Sequence, residues 1–283
     1  MREELMGMSD PDALTPIQDV ENYFLKRDDV FHIGGVRGGK VRTCWFLAQG
    51  AKGLITAGAR HSPQVAIVAR IAKILGIPCR VHVPRGQPTS ETISAENDGA
   101  EVVRHFPGYN TVIIARARED ASVGSGWVEI PFGMECQEAV NQTRRQVENI
   151  GIFHPRPKRI VVPVGSGMSL AGVLWGLKDF DLDIPVLGVS VGAEPTHRLD
   201  RYAPRSWRKQ CVLVRSEIPY QRAYEQDISG IDLDPIYESK CVHFLEKGDL
   251  FWVIGHRDKM PESTSKMSPI PPTIREEEVL EWI

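Results

Sequence analysis

Apolar residues recur along this chain with two different periods, and the clearer one is helical. Between residues 63 and 75 they follow the 3.6-residue spacing of an amphipathic helix. Pro63 suits the first helical position, where a missing N–H has no intrahelical partner to lose, and Ser62 suits the N-cap. Gly76 suits the residue that ends such a helix. The pattern therefore predicts a helix over 63–75.

Short apolar runs alternate with helical patterns through the rest of the chain. The runs that predict strands are Gly53–Ala57, Cys79–Val83, Glu101–His105, Trp127–Pro131, Arg159–Val164, Pro185–Val191 and Gln210–Val214. Helices are predicted from Ser90, over about 134–149 and over Leu170–Leu177. Residues 1–30 show no clear periodicity, and a proline-rich segment at 268–273 predicts a linker before a short acidic helix.

This alternation favours an α/β fold built from right-handed βαβ units. Because the strands fall into two series, we expect two lobes, each a mostly parallel twisted sheet flanked by helices. We place the smaller lobe at 45–155 and the larger at 1–44 plus 156–283. The cleft between the lobes is then the expected binding site.

Composition is that of a globular protein, with 42% hydrophobic and 25% charged residues among 283. The net charge of −3 disfavours non-specific nucleic-acid binding, which needs a basic excess. A basic run from Arg198 to Lys209 is interpreted as a solvated helix and loop. No apolar run approaches the ~18 residues that a membrane helix requires, so no membrane partner is expected.

Five cysteines are widely spaced and include no CxxC pair. This pattern favours reduced thiols without a zinc site or any other metal. The first residues are acidic and polar and lack the charged-then-apolar order of a secretory signal. Together these features predict a cytoplasmic protein.

A glycine-dense turn, residues 34–40, ends on Lys40 directly before an apolar helical pattern. Glycine lets the backbone approach a ligand closely and adopt positive φ. A lysine that is desolvated there can lose its proton and attack a carbonyl group. The alternative interpretation of Lys40 is an exposed lysine at the start of a helix.

A second turn of small residues, Gly165–Ser169, joins a predicted strand to a predicted helix. Such a turn presents backbone N–H groups and the positive end of the helix dipole, which suits a phosphate. It lacks the Gly-Lys-Ser/Thr of a Walker A loop and the GxGxxG of dinucleotide folds, so NAD is disfavoured. Alone it could be a plain tight connection, but beside the Gly-Gly-Lys turn it favours phosphate binding.

Four segments in order, spanning about residues 34–255, resemble the fold-type II pyridoxal-phosphate enzymes, the tryptophan synthase β-like superfamily. Within it the chain is most similar to the branch of 1-aminocyclopropane-1-carboxylate deaminase and D-cysteine desulfhydrase. The matching segments are Gly38-Gly39-Lys40-Val41-Arg42, Thr56–Gln64, Gly165–Ser169 and Leu233–Lys240, the last with Asp234-Pro235-Ile236-Tyr237-Glu238. Each segment alone is weak, and their order and spacing together are fairly specific.

The resemblance implies pyridoxal 5'-phosphate as cofactor, carried by Lys40, which also serves as the base at Cα. It implies that Glu238 faces the pyridine nitrogen, where a carboxylate keeps that nitrogen protonated. Ser62 and Tyr237 are implied to contact a small amino-acid substrate, and a homodimer is implied. The residues implied to hold the phosphate are Gly165, Ser166, Gly167, Met168 and Ser169. Glu238 with Tyr237 favours the cyclopropane-deaminase pattern of deamination over simpler β-elimination.

The chain departs from the branch where asparagine normally bonds the cofactor's 3′-oxygen, because Pro63 occupies that position. Arg60, His61 or Gln64 would have to replace it. These departures leave open a transferase or modifying enzyme acting on a larger or carrier-attached amino acid. They also leave open a non-catalytic protein that binds pyridoxal phosphate or phosphate. Ser62 could also simply cap its helix, and Tyr237 and Glu238 could be a half-buried aromatic and a solvated carboxylate.

Overall fold

A computed structural model describes residues 8–106 and 108–255. Within them the strands are β1 (Ile17–Val20), β2 (Tyr23–Arg27), β3 (His32–Ile33), β4 (Val36–Arg37), β5 (Gly53–Ala57), β6 (Cys79–Pro84), β7 (Glu101–His105), β8 (Trp127–Ile130), β9 (Arg159–Val164), β10 (Val186–Ser190), β11 (Cys211–Arg215), β12 (Asp227–Ile228), β13 (Ile231–Asp232) and β14 (Asp249–Val253).

The helices of the same residues are α1 (Gly39–Leu47), α2 (Pro63–Leu75), α3 (Ser90–Asn97), α4 (Asn110–Val123), α5 (Gln137–Arg145), α6 (Glu148–Ile152), α7 (Met168–Asp179), α8 (Thr196–Tyr202) and α9 (Trp207–Gln210). Short 3₁₀ turns occupy Asp28–Val30, Phe132–Met134 and Glu238–Phe244. The proposed linker at 268–273 and the acidic helix after it lie outside the described residues.

Two sheets organise these elements. One has four strands in the order β7-β6-β5-β8, all parallel. The other has six strands in the order β1-β2-β14-β9-β10-β11, and every neighbouring pair is parallel except β1 with β2. Parallel strands need helical crossovers that cover the sheet faces, and strands such as β5 and β14 are accordingly buried along their whole length. The predicted α/β class with two mostly parallel sheets is confirmed.

Local sequence accounts well for several of these elements. Helix α2 begins at Pro63 and is ended by Gly76, whose φ of 67° is left-handed and favours glycine. Its apolar face is buried, as the helical period requires. Strands β5, β7 and β9 have the predicted bounds.

Three parts of the chain differ from the sequence prediction. Residues 17–27, where no periodicity was evident, form the β1–β2 hairpin at one edge of the larger sheet. Helix α4 was not predicted, because only Ile113 and Ala117 of its side chains are buried. The single helix expected over 134–149 is divided into α5 and α6. It starts late because Gly133 and Met134 have φ of 66° and 52°, which no α-helix accommodates.

The predicted division at residues 45 and 155 stays a prediction. The four-stranded sheet comes from residues 53–130, and the six-stranded sheet from residues on either side of that range. Helix α5 packs closely against α7, beside the larger sheet, although the prediction assigned its residues to the smaller lobe. In the part of the chain that the structure describes, no helix has the length and apolarity to cross a membrane.

A group of buried charges lies under the first turn of α1. Asp28 is 1% exposed, and its Oδ1 accepts hydrogen bonds from Arg42 Nη2 at 3.1 Å and Thr15 Oγ1 at 3.1 Å. The Arg42 guanidinium also stacks 4.3 Å from the Phe31 ring. Burial lowers the pKa of nearby Lys26 to about 7, with Asp28 opposing that shift and Arg42 adding to it. The stability of charges buried in this way depends on their ion-pair and hydrogen-bond partners.

Replacing Asp28 tests that dependence. We expect Asp28→Ala to lower the free energy of unfolding by about 3–5 kcal/mol, because it leaves the Arg42 charge buried without its carboxylate. The matched control is Asp12→Ala, which breaks an exposed pair with Arg145 and should cost less than about 1 kcal/mol. Urea unfolding of both variants measures the difference, and equal losses would contradict the assignment.

Candidate active site

A cavity of about 700 Å³ opens beyond the carboxyl ends of strands from both sheets. Its wall includes Gly58 after β5, Gly192 after β10 and Gly255 after β14. This is where open parallel sheets usually bind ligands, and the volume lies within the range of ligand pockets. Predicted site residues that border it are Lys40, Ser62, Gly165, Ser166, Gly167, Ser169, Tyr237 and Glu238.

The turn that ends on Lys40, residues 34–40, is hydrogen-bonded to the backbone that follows β14. The Gly38 N–H donates to the Phe31 carbonyl at 2.8 Å, and the Gly39 N–H donates to the Ile254 carbonyl at 2.9 Å. Gly38 has φ 105° and ψ 172°, and a Cβ there would lie 2.7 Å from the Ile254 oxygen. Glycine is therefore required for the backbone to come this close. Lys40 follows as the second residue of α1 and faces the cavity.

The small-residue turn lies between β9 and the N-terminus of α7. Gly167 is the N-cap of that twelve-residue helix, with φ 91°. A Cβ on Gly165 would meet Tyr237 Cε1 at 2.9 Å, so glycine keeps this part of the wall open. Amide N–H groups at such a helix start, together with the helix dipole, suit a phosphate.

Glu238 is buried beside the same strand end. Its Oε1 accepts hydrogen bonds from the Ile254 N–H at 3.0 Å and the Gly255 N–H at 3.2 Å. Burial, and secondarily the nearby Asp234 carboxylate, raises the pKa of Glu238 to about 8. A carboxyl group that is protonated near neutral pH can share a proton with a basic ring nitrogen at the cavity. The alternative of a solvated carboxylate does not describe a side chain that is 3% exposed.

At the start of α2, one predicted site residue borders the cavity and another is buried. Ser62 occupies the N-cap of α2, but its hydroxyl makes no capping hydrogen bond, and the residue borders the cavity. Gln64 is buried, and its Nε2 donates to Thr56 Oγ1 at 2.8 Å and to the Pro131 carbonyl at 2.7 Å. Met168 is likewise buried. The cofactor contact predicted for Gln64 stays a prediction, as does that of Met168, whose backbone opens the helix after the turn.

Sequence reasoning missed several residues of the wall. Arg198 was placed in a solvated basic run, yet its Nε donates to Glu135 Oε2 at 2.8 Å and both residues border the cavity. Tyr220 packs edge-on against Tyr237, with ring centroids 5.8 Å apart. The one sequence signal for the wall near Tyr220 is the change from strand to turn at Arg215–Tyr220.

The residues present fit pyridoxal phosphate. The glycine turn at 165–167 leaves room that a Cβ would fill, Lys40 reaches the same cavity, and Glu238 supplies a buried carboxyl group. The cofactor's phosphate, aldehyde and ring nitrogen require these three kinds of group. Within the described residues, no set of three or more His, Cys, Asp or Glu side chains is arranged to hold a metal ion.

Comparison with known proteins agrees with this fit. The family described as "Pyridoxal-phosphate dependent enzyme" matches residues 10–237. An L-threonine ammonia-lyase of Geobacter sulfurreducens is 26% identical over 150 residues, which are 52% of this chain and 35% of that protein. The chain thus spans about a third of that relative's length.

Two further relatives match over most of their length. A protein of Pyrococcus horikoshii, provisionally named a 1-aminocyclopropane-1-carboxylate deaminase, is 27% identical over 288 residues, covering 83% of this chain and 86% of that one. The crystal structure of an "ACC deaminase homologue" superposes with a TM-score of 0.74 at 24% identity, covering 86% and 89% of the two chains. The second similarity concerns the fold alone. The resemblance recognised in the sequence is confirmed.

The close approach of the lysine turn to β14 can be tested with two glycines. We expect Gly38→Ala to lower the free energy of unfolding by more than about 2 kcal/mol and to weaken cofactor binding, because Cβ would overlap the Ile254 carbonyl. Gly50→Ala shares the positive φ but has no atom within 4 Å of the new Cβ, so it should cost about 1 kcal/mol. Urea unfolding and cofactor titration of both variants give the comparison. Similar losses would mean that φ alone matters.

The raised pKa of Glu238 has a defined effect on stability without cofactor. The folded protein holds this proton up to pH about 8, whereas an unfolded glutamate has an ordinary pKa near 4.5 and releases the proton there. Stability from this group is therefore complete below pH ~4.5 and is lost as pH rises towards 8, with a slope of up to about 1.4 kcal/mol per pH unit. Urea unfolding between pH 5.5 and 8.5 should show a shallower decline for Glu238→Gln. The exposed Glu119→Gln should retain the wild-type slope, and an unchanged slope in Glu238→Gln would contradict the shift.

Proposed function

The chain belongs to the pyridoxal-phosphate-dependent enzyme family, and we propose that it deaminates a small amino acid by chemistry at Cα. The observation that carries the proposal is that Gly39, directly before Lys40, and the Glu238 carboxyl group both bind the backbone at 254–255, and that Lys40 and Glu238 border one cavity. β-Elimination with release of ammonia is the related reaction that the same residues can support. Either reaction yields ammonia and a 2-oxo acid, with water supplying the keto oxygen.

Bound pyridoxal phosphate supplies an electron sink that makes the Cα proton of an amino acid acidic. Lys40 would hold the cofactor covalently, and its ε-amino nitrogen would accept that proton. Backbone N–H groups of 165–169 hold the phosphate and so orient the ring. Glu238 keeps a proton at the ring nitrogen, which strengthens the electron sink. A stronger electron sink favours deamination of the cyclopropane type over simpler elimination, because it would accept the charge left on Cα when a ring C–C bond breaks. Since 1-aminocyclopropane-1-carboxylate carries no Cα proton, Lys40 would there move a proton at a ring methylene carbon.

Ser62 and Tyr237 are the proposed substrate contacts. Both border the same cavity as Lys40, and the Tyr237 ring packs against the Tyr220 ring. Their hydroxyl groups can donate to or accept from a substrate carboxylate or leaving group. Pro63 removes the side-chain donor and the N–H that another residue would offer at the helix start. Substrate orientation therefore depends more heavily on these two hydroxyls.

We propose that the protein is cytoplasmic and works as a homodimer. The five cysteines are all free thiols, and four are buried, which supports a reducing compartment. Burial raises the pKa of Cys79 to about 12 and of Cys211 to about 11, so these thiols are unreactive. The homodimer rests on family resemblance.

A second candidate is a transferase or modifying enzyme that acts on a larger amino acid. A cavity of about 700 Å³ and the loss of donors at Pro63 favour it. In that case small amino acids would perturb the spectrum of the bound cofactor without giving a 2-oxo acid.

The first test concerns Lys40. Wild-type protein loaded with pyridoxal phosphate should show visible absorption that borohydride fixes covalently to Lys40, and mass spectrometry of the digested protein should locate it there. Lys40→Ala should lose the fixed adduct and reduce turnover by at least about 10²-fold, because the general base is absent. The exposed Lys209→Ala should behave as wild type.

Turnover is measured by release of ammonia and a 2-oxo acid from 1-aminocyclopropane-1-carboxylate, D-cysteine, L-threonine and L-serine. Product from any of these that depends on Lys40 supports the proposal. Cofactor binding without product from any of them would favour the second candidate or a non-catalytic binding protein. Failure of wild-type protein to bind the cofactor would contradict the whole assignment.

A further inference from the structure

A short connector, residues 131–136, joins β8 to α5. It passes over the proposed phosphate turn, residues 165–169. Phe132, Gly133 and Glu135 all border the cavity. A Cβ on Gly133 would lie only 3.3 Å from the Ser166 Cβ, so the two turns are in close contact. Met134 follows with φ 52°, an uncommon value for a residue with a side chain, and is 1% exposed. The connector is thus a tight turn anchored on the core.

The beginning of the connector is tied to the helix that carries Ser62. Gln64 Nε2 donates to the Pro131 carbonyl at 2.7 Å and to Thr56 Oγ1 at 2.8 Å, and that hydroxyl donates to the Ile130 carbonyl at 2.8 Å. Gln64 is 1% exposed, so water does not compete with these bonds. The Gln64 amide nitrogen thus binds the backbone that directly precedes the contact between Gly133 and Ser166.

The end of the connector is tied to α8 of the larger sheet. Arg198 Nε donates to Glu135 Oε2 at 2.8 Å, and the two side chains are 21% and 30% exposed. A charge-assisted bond that is largely shielded from solvent is stronger than an ordinary surface pair. Since α8 packs on α7, whose N-terminus follows the phosphate turn, this bond fixes the connector relative to that turn.

We propose that Gln64 and Arg198 are positioning residues that clamp the connector onto the phosphate turn and thereby slow release of the cofactor. The inference rests on the proposed function in one respect, that the turn at 165–169 holds the cofactor's phosphate. The clamp acts through Gly133 on Ser166 and touches neither Lys40 nor Glu238. It therefore contributes to binding of a phosphorylated ligand and not to binding of the ring.

That selectivity gives the test. Affinities of pyridoxal phosphate and of unphosphorylated pyridoxal are measured by titration for wild type, Arg198→Met and Glu135→Gln. We expect each variant to bind pyridoxal phosphate about 3- to 10-fold more weakly and to release it correspondingly faster on dilution, with pyridoxal affinity unchanged. The double variant should bind pyridoxal phosphate no more weakly than the weaker-binding single variant, because both substitutions remove the same contact between Arg198 and Glu135.

Arg201→Met is the matched control, since Arg201 is an exposed arginine of the same helix and does not border the cavity. It should bind both ligands as wild type does. Unchanged pyridoxal phosphate binding in Arg198→Met, an equal loss of pyridoxal affinity, or an equal effect in Arg201→Met would each overturn the clamp. A wild-type protein that binds no pyridoxal phosphate would instead refute the proposed function, so the two failures are distinguishable.

Discussion

The backbone of Ile254 and Gly255, at the end of β14, is the constraint on which the site depends. The Ile254 carbonyl accepts a hydrogen bond from the Gly39 N–H, and the N–H groups of both residues donate to the Glu238 carboxyl group. One strand end thus sets the separation between the turn that precedes Lys40 and the Glu238 carboxyl group. Gly38 permits this, since any side chain there would strike the same strand. The chemistry of both residues is consequently coupled to the register of β14 in the larger sheet.

That register is reinforced from beneath by buried charge. Trp252, on β14, donates from Nε1 to Asp28 Oδ2 at 3.3 Å, and the same carboxylate binds Arg42 from α1. A Cβ on Gly39 would lie only 2.8 Å from Asp28 Oδ2, so the buried carboxylate favours glycine at this position. Buried ion pairs add little net stability because desolvation opposes them. Their effect here is to allow one arrangement of strand, turn and helix.

Long-range hydrogen bonds also hold the connector, residues 131–136, over the turn at 165–169. Residues from α2, β8 and α8 meet around it, so the wall over the phosphate turn depends on three parts of the chain. Family resemblance identifies the segment at 56–64 but does not say which way each side chain points. The Gln64 amide faces the connector because Thr56 and Pro131 offer buried acceptors there, whereas Ser62 faces the open cavity.

By itself, the sequence determined the elements with strong local signals: α2 between its proline and glycine, the strands β5, β7 and β9, and the two glycine turns. Periodicity, capping and φ preferences act over a few residues and can be read directly. The order of four motifs likewise indicated the family and its cofactor. Tertiary structure alone decided the edge hairpin β1–β2, the weakly amphipathic α4 and the division of the helix at 134–149.

It also decided which polar groups meet. Arg198 and Glu135 are 63 positions apart, and neither is distinguishable in sequence from a solvated surface charge. Glu238 acquires its raised pKa only when the chain buries it beside Asp234. Desolvation and long-range hydrogen bonding arise from packing, so no local pattern encodes them, and the parts of the site that depend on them appear only in the folded protein.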